Sequence, residues 1–213
     1  MLITDYKIEE YIHANISGED NLLSELNRKT HLDIVQPRML SGHLQGKILE
    51  MISMMIKPHY VLEIGTFTGY SALCLAKGLQ KNGKLFTLEI NDELEEMARS
   101  FFQRSQFGNQ IELIIGDACD IIGKLENKFD LVFIDGDKKE YTTYFNLVYP
   151  LLNPGGFILA DNVLWDGKVT EVADKYDDDT KSIQDFNKMI LNNDNVENVI
   201  LPVRDGINII RKK

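Results

Sequence analysis

The 213-residue chain reads as an α/β protein built on an open, doubly wound, mostly parallel sheet. Three observations predict this. From Tyr60 onward, short apolar runs alternate with amphipathic stretches. Five of these runs look like buried strands and each is followed by a helical pattern, the signature of βαβ crossovers. The last two runs are joined only by a short PVRDG connection, which suits a hairpin and makes at least one strand near the C-terminus antiparallel.

Residues 1–57 precede the sheet and read as a helical cap to a core spanning 58–213, the whole forming one domain. Leu22, Leu23 and Leu26 recur at helical spacing, and a second pattern runs from Leu44 through Ile48, Leu49, Ile52 and Ile56 until Pro58 stops it. The strand and helix pairs then follow in order: YVLEI with 70–80, KLFTLEI with 92–105, IELIIG with 118–125, FDLVFID with 138–149, and GGFILAD with 180–192. NVILPV and GINIIRK close the chain. Residues 162–179 are the longest stretch without periodicity and read as a lid or binding loop, its acidic end Asp177–Asp179 capping the next helix.

Composition narrows the function. At 44% apolar and 26% charged the chain can bury a sizeable core. The longest apolar candidate, Ile48 to Ile56, is broken by Glu50 and Ser53, so no membrane span is expected. The start MLITDYKIEEYIH lacks a basic n-region and a continuous apolar h-region, which makes the cytoplasm the expected compartment. Asp plus Glu total 33 against 23 Lys plus Arg, a formal charge of -10 that disfavours a broad phosphate-binding surface. Cys74 and Cys119 are too few for a disulfide framework and read as reduced, buried thiols. The histidines at 13, 31, 43 and 59 lie away from every strand end, so no hydrolytic triad can be assembled.

The strand ends carry the chemistry. Glu63-Ile64-Gly65-Thr66-Phe67-Thr68-Gly69-Tyr70-Ser71 leaves the first strand and opens a helix; Gly65 lets a ligand approach the backbone, and the helix start offers free N–H donors. The spacing is G-x-x-x-G, distinct from dinucleotide and Walker A loops. Glu63 is a buried-looking carboxylate that needs a donor or cation. Glu89 ends the second strand 20 residues beyond Gly69, where doubly wound folds place the acid that accepts ribose hydroxyls. Gly116-Asp117-Ala118 ends the third with small residues that leave room for a flat base. Taken singly, each is an ordinary strand-end turn; their order on consecutive strands points to one ligand.

VLEIGTFTGYSAL, Glu89, GDA, FIDGDKKEY and LADNVLWDGKV resemble the S-adenosylmethionine- and divalent-metal-dependent O-methyltransferases, the family of the catechol and caffeoyl-CoA enzymes, over roughly residues 36–211. The resemblance implies a Rossmann-like class I methyltransferase sheet. It implies that Glu63, Gly65, Thr66 and Ser71 hold the amino acid end of S-adenosyl-L-methionine, that Glu89 takes the ribose and that Ala118 lies by the adenine. Met39 and Ser41 in MLSGHLQG match positions lining the donor site, with plain core packing an equal reading of Met39. Asp137 would sit near the cofactor by the same match.

Asp135, Asp161 and Asn162 end two further strands. Carboxylates and an amide oxygen are hard ligands suited to Mg²⁺ or Ca²⁺, and without a cation clustered carboxylates repel. The plainer reading makes Asp135 a helix cap and Asp161-Asn162 a turn; the resemblance implies that all three are metal ligands, Asp135 also bordering the cofactor. Lys138 falls where the family's proposed general base lies, a role that needs its pKa lowered; otherwise it is an ion-pair partner of Glu140 or Asp137. Trp165 and Asp166 are candidates for the acceptor pocket, Trp165 alternatively anchoring its loop.

The implied activity is methyl transfer to a metal-chelated hydroxyl of a catechol-like small molecule. One alternative is a tRNA 5-hydroxyuridine methyltransferase, using a strip formed by Lys7, Arg28, Lys29, Arg38, Lys138, Lys139, Lys168 and Arg211-Lys212-Lys213. The other is a non-catalytic S-adenosylmethionine binder, disfavoured because binding the cofactor does not require Asp135, Asp161, Asn162 and Lys138 together. The resemblance further implies a homodimer.

Overall fold

A computed structural model of the chain describes residues 6–175 and 177–213; residues 1–5, the start of the expected cap, and Tyr176 in the expected loop lie outside the described residues. Three helices come first: α1 (Tyr6–Ala14), α2 (Asn21–Asp33) and α3 (Gly42–Ile56). Asp20 caps α2, its carboxylate accepting the Leu23 N–H at 2.9 Å. α3 ends one residue short of the expected stop. Lys57 adopts the left-handed conformation and its N–H closes on the Ser53 carbonyl, so Pro58 follows a helix already terminated.

Five βα units follow. β1 (Tyr60–Ile64) leads to α4 (Tyr70–Ala76), β2 (Lys84–Glu89) to α5 (Glu95–Arg104), and β3 (Ile111–Ile115) to α6 (Ala118–Ile122). β4 (Phe129–Ile134) leads to α7 (Tyr141–Val148), and β5 (Leu152–Ala160) to α8 (Asp178–Leu191). β6 (Val196–Leu201) and β7 (Ile207–Lys212) form the expected hairpin. The seven strands run in the order β3-β2-β1-β4-β5-β7-β6, and β7 is antiparallel to both of its neighbours. Asp177 caps α8 as expected, accepting the Thr180 N–H at 3.0 Å. In the stretch before it, Trp165–Thr170 makes two short 3-10 turns broken by a kink at Asp166 and Gly167, whose φ values are +53° and +82°.

Strand periodicity sorts the core into two layers. Leu62 and Ile64 of β1, Val132 and Ile134 of β4, and Ile158 of β5 face α7 and α8. Val61, Leu131, Phe133 and Leu159 face the layer that α2 to α5 cover. Helices on both faces explain why the central strands are mostly apolar. Each fully buried Leu, Ile or Phe contributes about 1.5–3 kcal/mol of transfer free energy. Cys74 is buried, whereas Cys119 on the short α6 is only half-buried, which corrects the expectation for that thiol. No helix among the described residues is long and apolar enough to cross a membrane.

The sheet reverses its winding between β1 and β4, the place where doubly wound folds bind ligands. Gly65 makes this junction tight. Its φ is +97°, and a Cβ there would come within 2.2 Å of the Asp135 carbonyl oxygen.

Candidate active site

Hydrogen bonds just beyond the strand ends draw the sequence-derived residues into one line. Gly116 N–H donates to the Glu89 carbonyl, Gly65 N–H to Leu88, Asp135 N–H to Ile64, and Asp161 N–H to Ile134, all at 2.8–2.9 Å. The parallel ladder thus continues past the last apolar residue of each strand and sets the polar residues side by side along the carboxyl edge.

Glu63 is fully buried in this line, its strand partners being Thr87 on β2 and Phe133 on β4. Thr87 donates to Glu63 Oε2 at 2.5 Å, and Thr66 and Thr87 share a hydrogen bond of 2.5 Å. The Ser71 hydroxyl also lies against the carboxylate. Glu63 Oε1 is buried with no hydrogen-bond partner. Burial first, then the charges of Asp135 and Glu89, push the Glu63 carboxyl up to about 8 despite these two hydroxyls. An orphaned carboxylate oxygen beside a glycine turn fits an ammonium group, and so fits the amino acid end of S-adenosylmethionine.

Glu89 is held differently. Phe67, in the left-handed region at φ +50°, donates its N–H to Glu89 Oε2 at 2.7 Å, and Asn91 N–H donates to Oε1 at 2.9 Å. Each oxygen keeps acceptor capacity, the arrangement a pair of ribose hydroxyls needs. Ala118 opens α6 and is half-buried. Ser41 is buried before α3, whereas Met39 is 57% exposed, which removes core packing as its role. Asp137 is exposed and caps the turn at Lys138–Glu140 by accepting the Lys139 N–H at 3.0 Å; that capping role had been one reading of Asp135.

Asp161 is almost wholly buried. Its Oδ1 accepts the Asn162 N–H at 2.8 Å and its Oδ2 accepts Gln45 Nε2 at 2.5 Å. Burial and then the facing Asp135 carboxylate push its carboxyl above the usual carboxylate range. Asn162 lies at φ +56°, and its side chain hydrogen-bonds the Asp205 carboxylate; the amide nitrogen is the donor there, which leaves the amide oxygen as an acceptor. No three His, Cys, Asp or Glu side chains gather into a metal cage among the described residues. Two mutually repelling carboxylates and an amide oxygen nevertheless fit a hard divalent cation.

Lys138 Nζ donates to Asp135 Oδ1 at 3.0 Å, to the Gly136 carbonyl at 3.1 Å and to Tyr141 Oη at 2.8 Å. Its partner is therefore Asp135, not Glu140 or Asp137. Burial alone would lower the lysine's pKa, but Tyr141 and Asp135 outweigh burial and raise it, so the group held here is an ammonium. Tyr141, missed in the sequence, donates in turn to the Asp161 carbonyl at 3.0 Å and so joins the ends of β4 and β5. Its place three residues after Lys138, on the same helical face, was the available signal. Tyr141→Phe should lower stability by about 1–2 kcal/mol and slow transfer roughly tenfold; chemical denaturation and initial rates measure the two effects.

Trp165 and Asp166 follow Asn162 at φ +48° and +53°. The Trp165 ring packs on the core layer under α7 and α8, with its Nε1 buried and unpartnered. Asp166 is exposed, its N–H donating to Asp205 Oδ1 at 2.5 Å.

The strand order and the line of residues along its carboxyl edge define a class I methyltransferase. The O-methyltransferase family model matches residues 13–213, and the chain belongs to that family. It is 33% identical over 199 residues to a catechol O-methyltransferase of Niastella koreensis, covering 91% of this chain and 89% of the relative. It is also 33% identical to a caffeoyl-CoA O-methyltransferase of Petroselinum crispum, over 79% and 74% of the two chains. An O-methyltransferase from Bacillus cereus, solved with S-adenosylhomocysteine, superposes with a TM-score of 0.91 at 28% identity over 100% of both chains.

Proposed function

We propose that the protein transfers a methyl group from S-adenosylmethionine to a metal-chelated hydroxyl of a catechol-like small molecule. The observation that carries this reading is the single edge along which Glu89, Glu63, Asp135 and Asp161 follow one another on adjacent strands. The relatives support it: one acts on catechol by name, and one was solved with the demethylated product of the donor.

S-adenosylmethionine supplies a methyl group on a sulfonium, which leaves by in-line displacement. Glu63 and the turn at Gly65 would hold its amino acid end and Glu89 its ribose. A divalent cation, held by Asp135, Asp161 and Asn162, would supply Lewis-acid stabilisation of the phenolate, so that an acceptor hydroxyl otherwise neutral at pH 7 can give up its proton to solvent. The chain's own part is orientation, because side chains on four rigid strand ends lose little freedom when the acceptor docks. Lys138, as an ammonium on Asp135, steadies negative charge at the acceptor oxygen; a role as base requires that Asp135 be taken from it.

Charge pairing weighs against the tRNA alternative. Within the basic strip Lys29 is paired with Asp33, Lys168 with Asp177 and Arg211 with Glu197. Labelled donor, Mg²⁺ and a panel of catechols test the proposal. Metal-dependent label transfer to a vicinal diol is expected, and no turnover on any of them, with or without metal, would overturn the reading.

A further inference from the structure

The β6–β7 turn, Val203 to Gly206, grips the site from two sides. On one side its backbone carbonyls hold the loop after the metal ligands: Val163 N–H donates to Gly206 and Leu164 N–H to Asp205, at 3.2 and 2.9 Å. On the other side Arg204 reaches across to the segment before α3. Its Nη1 donates to the carbonyls of Leu40, at 3.0 Å, and Ser41, and to Gln45 Oε1 at 3.2 Å. Gln45 is buried, and its other amide atom, Nε2, is the donor to Asp161 Oδ2. α3 cannot drift, because it docks on α4 at Gly46, where a Cβ would meet the Tyr70 ring at 2.5 Å.

We propose that Arg204 is a positioning residue for the metal ligand Asp161, acting through Gln45. An amide has two orientations related by a flip. With Arg204 donating to its oxygen, Gln45 must turn its NH₂ toward Asp161; in the flipped state an oxygen would face a carboxylate oxygen while two donors faced each other. The fixed amide takes one lone pair of Asp161 Oδ2, as the Asn162 N–H takes one of Oδ1, and the carboxylate is left with a single orientation. Partners of this kind fix ligand geometry, and their loss weakens metal binding 10–100-fold in typical sites. The turn itself does not call for arginine: φ at Arg204 is +50°, a conformation that glycine adopts without strain.

The inference rests on the proposed metal-dependent reading, and the test separates the two. Mn²⁺ alone is titrated into wild type, Arg204→Gly, Gln45→Ala and the double variant, with free Mn²⁺ followed by electron paramagnetic resonance. Glycine suits the backbone at this position, so the first variant removes the side chain without straining the turn. Wild type should bind, each single variant should bind about tenfold more weakly, and the double variant no worse than the weaker single, because Arg204 acts only through the amide that Gln45→Ala already removes. Multiplicative losses, or unchanged affinity in Arg204→Gly, would overturn the role of Arg204 and leave the metal reading standing. No binding by wild type would overturn both. Arg204→Met, which keeps the stem but has no N–H to donate, should show the same tenfold weakening should Arg204→Gly fail to fold; wild-type affinity there would equally overturn the role.

Discussion

Asp161→Asn is expected to lower kcat/KM for a catechol acceptor about 10³-fold at saturating Mg²⁺, while donor affinity stays within about twofold. The substitution keeps the shape of the side chain and reverses its polarity at one atom. Asp161 uses both oxygens as acceptors, one for the Asn162 N–H and one for Gln45 Nε2. Asparagine must turn an NH₂ toward one of those two donors. A buried donor is then left facing a donor, at a cost of about 1–3 kcal/mol, and a unit of negative charge is withdrawn from the proposed cation. The proposed seats of the donor's amino acid and ribose ends, Glu63 and Glu89, lie on the other side of β4 and should not register the change. Initial rates, together with calorimetric titration of S-adenosylmethionine, measure both halves. Activity within tenfold of wild type would remove Asp161 from the site.

The sheet was readable in the sequence because its strands are buried on both faces. Stretches such as LVFI and FILA are wholly apolar, and an acid stands at or just past the end of three strands: Glu89, Asp135, Asp161. Parallel strands finishing at one edge turn those local endings into a spatial cluster, so the acids could be named before their contacts were visible. The residues that hold the acids were not readable, and the reason is distance along the chain. Gln45 reaches Asp161 across 116 residues, and Arg204 reaches Gln45 across 159. No spacing rule links such positions. Gln45 looks like one more polar residue on an amphipathic helix, and Arg204 like a solvated charge in a hairpin turn.

Trp165 illustrates a different limit. An aromatic residue on a loop after candidate metal ligands suggests either a substrate wall or an anchor for the loop, and the partly buried ring packs against the core layer beneath α7 and α8. Period and position gave no means of choosing, since consecutive left-handed residues at Trp165 and Asp166 redirect the chain there. Lys138 was legible as a residue of the site, while its charge state depends on Asp135 and Tyr141 together.

Glu63→Gln should separate stability from binding, because the two make opposite demands on this carboxylate. The folded pKa of Glu63, about 8, stands above its ordinary value of 4.5, so folding favours the neutral form. The ligand-free protein therefore loses stability as pH rises from about 4.5, and the loss levels off above about 8. Glutamine carries no such charge, which removes this slope. It also places an NH₂ where Glu63 Oε1 has no partner, a cost of about 1–3 kcal/mol at every pH. The two stability curves should cross: the variant equal or weaker at pH 5, and more stable at pH 9 by on the order of 2 kcal/mol, or about 4–8 °C in Tm. Donor affinity should fall about 10–100-fold, since an ion-paired hydrogen bond to the ammonium becomes a neutral one. Thermal melts from pH 5 to 9 and donor titration at pH 7.5 read the two effects separately. Parallel melting curves would show that Glu63 is not held up by burial, and unchanged donor affinity would take it out of the binding site.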